Sequence, residues 1–373
     1  MKIVLATGIY PPAIGGPATY VRSLAEELEK KSIQVIILTY GVRATKVVLV
    51  ERWGGPLLRW WRYARALKEH AADADIILAF SLVSVGVPLW LCRRFWPLGF
   101  ARGKSKLVLR LGGDFLWERY TDCGGGLGLQ EWYGSRFWLL VARCSMGWLL
   151  RSFDHIVFST EFQEEMYEQH YRRLPTHSVI ENAMSGIENQ ELRIRKMHAP
   201  FRLLYLGRFV AFKNIPALLR AMLELPGTTL TLVGEGPLLH LLEGNVRGLH
   251  IQDLVTFRPK ATPVERDACF LEHDLLVVPS VTEISPNVAL EARAVGLPVL
   301  LTEETGLSER LQQGMVVRKI RTPEQIRDAI EEVMGNYEHV AEAAARAPMQ
   351  RPWSDIAQAY LELFSKLASL SQQ

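Results

Sequence analysis

Short runs of consecutive apolar residues, bounded by Gly, Pro or polar positions, alternate along this chain with longer stretches in which apolar positions recur every three or four residues. The first pattern is that of a strand buried on both faces and the second that of an amphipathic helix. Their alternation predicts parallel sheets joined by crossover helices. In the first half, residues 2–8, 33–39, 75–80, 106–111 and 155–159 read as strands, with a helix over 19–31 between the first two. In the second half, residues 203–206, 230–233 and 274–278 are buried strands. Two helix starts there carry a Thr-Pro-x-Glu/Gln pattern, Thr262-Pro263-Val264-Glu265 and Thr322-Pro323-Glu324-Gln325, a capping box with proline at the first helical position. Residues 185–198 hold few apolar positions and precede the strand at Phe201. The expected organisation is a Rossmann-like domain over 1–185, a linker over 186–199, a second Rossmann-like domain over 200–350 and a terminal helical segment over 351–373.

Composition narrows the function classes. The 373 residues are 49% hydrophobic, enough for two cores, and the net charge of +3 gives no global case for nucleic acid as a partner. Cys92, Cys123, Cys144 and Cys269 lack CxxC spacing, which fits free buried thiols in a reducing compartment. The nine histidines form no HExxH or paired spacing, so no metal is expected. No apolar run is long and uncharged enough to span a bilayer, and the first eight residues are too short for a signal core, which places the protein in the cytoplasm.

Four groups of residues carry candidate chemistry. Glu283 and Glu291 stand eight apart in Pro279-Ser280-Val281-Thr282-Glu283-Ile284-Ser285-Pro286-Asn287-Val288-Ala289-Leu290-Glu291. Ser285 reads as an N-cap and Pro286 as the first helical residue, so Glu283 falls in a strand-to-helix loop and Glu291 about a turn and a half into the helix. In an open α/β sheet that corner binds ligands. Backbone N–H groups from Ile284 through Ser285, Asn287 and Val288 add a dipolar contact there, and Ser280 is a weaker polar candidate. A second strand ends in Gly207-Arg208, with Lys213 just before a helix opened by Pro216. A cation there opposes the helix dipole, which makes sense if an anion such as a phosphate lies between Arg208 and Lys213. Gly15-Gly16 after the first strand brings bare backbone to a ligand but is not GxGxxG. Gly234-Glu235-Gly236-Pro237 forms a turn after the strand over 230–233.

These motifs, in this order, resemble the retaining glycosyltransferases of family 4, whose two-domain architecture is called GT-B; Tyr10-Pro11-Pro12 with Gly15-Gly16 and Ala294-Val295-Gly296-Leu297-Pro298 extend the resemblance over nearly the whole chain. The resemblance implies two Rossmann-like domains facing a cleft, with the C-terminal helix, about 353–370, crossing back to the first domain. It implies transfer of a sugar from a nucleotide-sugar donor to a hydroxyl with retained anomeric configuration. Arg208 and Lys213 would neutralise the leaving diphosphate in place of a metal or other cofactor. Glu291 would accept from the donor ribose, Glu283 would stand beside the transferred sugar, and Gly15, Gly16, Gly207, Gly234 and Glu235 would border the donor. Whether Glu283 is a covalent nucleophile stays open.

The chain departs from the family at Glu283-Ile284-Ser285, where relatives carry a glycine, and at a first-domain strand end where relatives carry a histidine. Asp114, after Gly112-Gly113, is either the substitute, binding a sugar hydroxyl or the acceptor, or a turn or N-cap residue. Residues 43–110 are basic and aromatic. Within 52–106 they read either as a segment that lies on an anionic membrane or as an ordinary helix with core tryptophans and solvated arginines. Membrane contact would suit a lipid-linked or envelope-glycan acceptor and a peripheral position at the inner face. The alternatives to a transferase are a GT-B sugar-nucleotide-binding protein without turnover and a sugar-nucleotide epimerase.

Overall fold

The computed structural model describes residues 1–11, 13, 16–41, 47–95, 105–135, 139–183, 194–346 and 351–369. Gly15, Ile14 and residues 186–193 of the expected linker lie outside them. The strands are β1 Lys2–Thr7, β2 Gln34–Tyr40, β3 Val47–Val50, β4 Ile76–Ala79, β5 Lys106–Leu111, β6 His155–Phe158, β7 Thr176–Val179, β8 Phe201–Leu206, β9 Thr228–Val233, β10 Val255–Arg258, β11 Leu275–Val278, β12 Val299–Thr302 and β13 Val316–Arg318. The helices are α1 Gly16–Lys30, α2 Pro56–His70, α3 Gly86–Phe95, α4 Phe115–Asp122, α5 Leu129–Ser135, α6 Leu139–Leu150, α7 Glu161–His170, α8 Ile215–Ala221, α9 Leu239–Gly248, α10 Pro263–Glu272, α11 Asn287–Ala294, α12 Glu309–Gln312, α13 Pro323–Gly335, α14 Tyr337–Arg346 and α15 Trp353–Ser369.

The chain divides into two compact units, each built on one parallel sheet. Met1–Leu116, Ser135–Ala183 and Pro352–Gln373 make the first unit, with strand order β3-β2-β1-β4-β5-β6-β7. Its central strands are fully buried, as apolar runs such as Ile3-Val4-Leu5-Ala6 and Ile76-Ile77-Leu78-Ala79 require. On one face α1 and α15 share a core in which Leu5, Val21, Leu24, Tyr360 and Phe364 pack together. The returning helix is held by polar contacts as well. Tyr20 and Tyr360 hydroxyls lie 3.4 Å apart, Lys31 Nζ donates to Gln358 at 3.2 Å, and the Trp353 ring meets Tyr20 edge-on at 4.8 Å. Buried Arg110 reaches across the same face, with its guanidinium 4.0 Å from the Tyr20 ring centroid and a hydrogen bond to Asn182.

Trp117–Gly134 and Met184–Arg351 make the second unit, with order β10-β9-β8-β11-β12-β13. Both expected capping boxes form. Glu265 accepts from the Thr262 backbone at 2.8 Å and Gln325 from the Thr322 backbone at 3.2 Å, while each threonine hydroxyl accepts in return. The end of the stretch read as linker is tied into this unit. Arg195 donates to carbonyls that end two helices, Val295 and Gly296 after α11 and His273 after α10, and His198 meets Asp274 at 2.6 Å.

Two features differ from expectation. Trp117–Gly134 packs in the second unit although the chain on either side of it belongs to the first. Its anchors are Trp132 and Leu129, both buried, and Trp117, whose ring packs tilted against Phe212 with centroids 5.2 Å apart. Of the cysteines, all free, Cys92 and Cys269 are buried as expected, whereas Cys123 and Cys144 are exposed on helical ends and faces that no core covers.

Candidate functional site

Three strand ends and two loops of the second unit bring the C-terminal candidates together. β8 and β9 are paired in register from Phe201↔Thr228 to Leu206↔Val233, and the turns beyond them continue the pairing. Gly207 N–H donates to Val233 O at 3.0 Å and Phe209 N–H to Glu235 O at 2.9 Å. Gly234 sits at φ +151°, and a Cβ on it would strike the Gly207 carbonyl; only glycine lets these two turns meet. Glu235 itself points to solvent and pairs with Lys260 at 3.2 Å.

Arg208 and Lys213 are not equivalent. Arg208 is exposed, and its guanidinium makes no ion pair with any described residue. Its backbone is held instead, the carbonyl accepting from the buried Tyr205 hydroxyl at 2.8 Å. Lys213 ends a short 3₁₀ turn, Ala211–Lys213, and left-handed Asn214 (φ 54°) leads into α8. The Lys213 ammonium is ion-paired with Glu283. The expected anion between the two cations thus has one free cation and one already neutralised by a carboxylate.

Glu283 is held on every side. Its backbone bridges the loop after β12, donating to Glu304 O at 2.9 Å and accepting from Gly306 N–H at 2.7 Å. Its side chain is 7% exposed, and both partners, Lys213 and the fully buried Ser280 hydroxyl at 2.5 Å, meet Oε1. Among the described residues neither of these bonds engages Oε2.

The helix after it starts one residue later than expected. Pro286 has ψ 94°, so it is the N-cap: its carbonyl accepts the first helical bonds from Ala289 at 3.1 Å and Leu290 at 3.3 Å, and α11 begins at Asn287. Ser285 is therefore outside the helix. Ile284 is buried, and Val288, at the second helical position, has no intrahelical acceptor for its N–H. Glu291, the fifth residue of α11, accepts from Arg266 Nη1 at 2.9 Å. Burial pushes its pKa up and the nearby Asp267 adds to this, while Arg266 opposes.

Sequence reasoning missed a further layer. Thr282 donates to Glu304 Oε1 at 2.7 Å and accepts from Leu129 N–H at 3.0 Å; Arg321 pairs with Glu304 and with Glu131, the latter at 2.9 Å. This network fixes the Glu283 loop from behind and fastens Trp117–Gly134 to it. Arg266, Thr282, Glu304 and Arg321 sit in no short motif, because each pairs with a residue 17 to 190 positions away.

The first-unit candidates stand differently. Gly16 opens α1 and is exposed. Asp114 is 1% exposed, directly before α4, and accepts from the Tyr167 hydroxyl at 2.9 Å.

The sequence model of the family described as glycosyl transferases group 1 matches residues 187–349. The glycogen synthase of Mycobacterium tuberculosis is 30% identical over 215 residues, covering 56% of this chain and 52% of that protein, so the match spans about half the length of that relative. Among solved structures, sucrose-phosphate synthase from Thermosynechococcus elongatus superposes with TM-score 0.74 at 18% identity, over 100% of this chain and 98% of that one. Anabaena HepE in complex with UDP-glucose gives 0.73 at 16%, over 98% and 100%. At such identities the structural likeness speaks for the fold, two Rossmann-like parallel-sheet units of the GT-B type. The match to the group 1 glycosyltransferases thus lies in the domain that carries Arg208, Glu283 and Glu291.

Proposed function

We propose that this protein is a retaining glycosyltransferase that moves a sugar from a nucleotide-sugar to a hydroxyl acceptor. The observation that carries the reading is the placement, beyond the carboxyl ends of β8, β9 and β11, of an arginine without an ion pair among the described residues, a lysine–carboxylate pair bonded through one oxygen, and a second carboxylate on α11. Departure of the donor diphosphate breaks the anomeric C–O bond and builds negative charge on phosphate, which Arg208 and the positive end of α11 stabilise without a metal or other cofactor. The sugar ring gains positive charge, which Glu283 Oε2 faces; Lys213 and Ser280 hold that carboxylate in position. The acceptor oxygen bonds to the anomeric carbon on the face the phosphate leaves, and a phosphate oxygen takes its proton. Glu291 accepts from the ribose hydroxyls, with Ile284, Ser285, Asn287 and Val288 at the donor phosphates or sugar, and Gly207, Gly234 and Glu235 toward the base. Gly15 and Gly16 belong to the same donor reading. The basic, aromatic segment over 52–106 supports a lipid-linked or envelope-glycan acceptor and a cytoplasmic protein peripheral to the membrane.

The test is a thermal-shift screen of metal-free protein against UDP, GDP, ADP and their sugars, followed by assay of nucleoside diphosphate release. Ligand at 100 times its Kd adds about 2.7 kcal/mol to native-state stability. A metal-independent rise with one nucleotide, lost in Glu291→Ala, supports the reading; no rise with any nucleotide overturns it. A second reading, a sugar-nucleotide-binding protein without turnover, is favoured by the burial of Asp114, and a thermal rise without diphosphate release would select it.

A further inference from the structure

One surface of the first unit takes no part in the proposed chemistry. From Arg52 to Lys68 the chain carries Arg52, Arg59, Arg62, Arg65 and Lys68 and no Asp or Glu. Most of this span is α2, which buries Tyr63, Ala64 and Leu67 in its own unit. At 3.6 residues per turn, positions 58, 61, 62 and 65 then face outward. That outer face is not merely polar. Leu57 is 77% exposed, Leu58 39% and Trp61 48%, and Trp53 just before the helix is 63% exposed. Single exposed apolar side chains are ordinary; four large ones within nine residues make a patch.

The patch is built rather than frayed. The Arg62 guanidinium lies 3.5 Å from the Trp53 ring centroid and donates to the Trp53 carbonyl at 2.8 Å, and the indole N–H donates to Glu51 at 2.7 Å. Gly54, at φ +94°, turns the chain so that Trp53 folds back over the helix. Gly55 at the N-cap supplies no side-chain cap, so the first N–H groups of this 15-residue helix are left to solvent or to an anion. Because α2 follows β3, its apolar N-terminal half lies at the carboxyl end of the strands, the side on which open α/β sheets bind ligands.

We infer that this face of α2 docks on an anionic lipid bilayer. Leu57, Leu58, Trp61 and Trp53 enter the boundary between headgroups and acyl chains, while Arg62, Arg65 and Lys68 meet lipid phosphates. Charge separates this occupant from the others. A two-fold contact between copies of the chain would set this mainly cationic surface, in which only Glu51 and Glu69 at its two ends are acidic, against itself, and a nucleic acid backbone would leave the leucines without a partner. Arg65 also pairs with Glu69 at 2.8 Å, which trims the positive field at the far end of the helix only. The inference deepens the proposed lipid-linked acceptor and rests on that reading for its purpose, but vesicle binding reads it without turnover.

The experiment is flotation of the full chain with vesicles of phosphatidylcholine alone and of phosphatidylcholine mixed equally with phosphatidylglycerol. Binding to the mixed vesicles only, lost as salt rises from about 0.1 M to about 1 M, is expected. The variant Leu57→Ser/Trp61→Ser should lose binding, and Arg65→Gln and Lys68→Gln should each weaken it about fivefold. All of these should keep the parent melting temperature and nucleotide response. Absence of binding to mixed vesicles, equal binding to neutral ones, or unchanged binding by Leu57→Ser/Trp61→Ser overturns the inference; so does a concentration-dependent dimer that this variant dissolves. Vesicle binding by protein that no nucleotide stabilises would leave the docking surface standing while the donor reading falls.

Discussion

Replacing Lys213 by methionine keeps the length and apolar stem of the side chain and removes the charge that neutralises Glu283. The lysine side chain is 18% exposed and the glutamate 7%, so the pair lies mostly out of water. Two unit charges about 4 Å apart attract by about 4 kcal/mol at an effective dielectric of about 20. Part of that returns, because methionine no longer has to be desolvated as a cation and the Ser280 hydroxyl still donates to the carboxylate. A net loss of about 2–3 kcal/mol remains, near the lower end of what stripping one partner from a buried pair costs. In a unit of fewer than 200 residues each kcal/mol moves the melting temperature by about 2–4 °C, so Lys213→Met should melt about 8 °C lower in calorimetry at neutral pH. Adding Glu283→Gln should recover much of this, with a coupling of at least about 1.5 kcal/mol in the double-mutant cycle. A drop of less than about 2 °C, or additivity within about 0.5 kcal/mol, would refute the claim that the lysine is needed to keep that carboxylate buried.

Arg208→Ala should lower turnover far more than it weakens nucleotide binding and leave the melting temperature unchanged, since the exposed Arg208 has no ion pair with a described residue to lose; equal losses in kcat and affinity would contradict a role confined to the leaving group. Glu291 has a raised pKa, so the folded state binds its proton more tightly than the unfolded state and stability falls as pH rises from the ordinary carboxylate range through the raised value; Glu291→Gln should flatten that part of the stability–pH curve. Nucleotide affinity should run the other way, weakening as pH falls toward that same value, and Arg266→Ala should move the onset to higher pH, as calorimetric titration at several pH values would read. Gly234→Ala should cost roughly 3 kcal/mol through its φ of +151° and the clash with Gly207, and a melting temperature within about 2 °C of the parent would show that the two turns can part.

The fold was legible wherever local chemistry decides it. Buried runs marked β1, β4, β5, β8 and β11, and proline with a capping box marked the starts of α10 and α13. β7, whose Thr-His-Ser-Val offers one apolar residue, went unread because an edge strand buries too little to need a run; β3 at the opposite edge does carry one, Val-Val-Leu-Val, but it is only four residues long and follows a basic stretch. Proline misled by one position at α11, since a proline fits the cap as well as the first turn. Within the site, Glu283 and Glu291 could be found by their spacing, but Arg266, Ser280's bond to Glu283 and the Thr282–Glu304–Arg321 network arise from how loops of different strands meet. Nothing in the run from Trp117 to Gly134 announces that it packs with residues far downstream; its tryptophans would fit any core.

The first unit is finished by α15, and that has a bearing on how the chain is made. Tyr20 and Tyr360 share a core yet stand 340 residues apart. At about 5–20 residues per second, a ribosome needs roughly 20–70 s to travel between them. Over that interval the part of α1 that faces α15 lacks its partner, although the sheet already covers the rest, while every segment of the second unit, Trp117–Gly134 included, is already synthesised by the time Pro352 emerges. The unit whose first strand is made earliest thus closes its core only after the other unit has been synthesised.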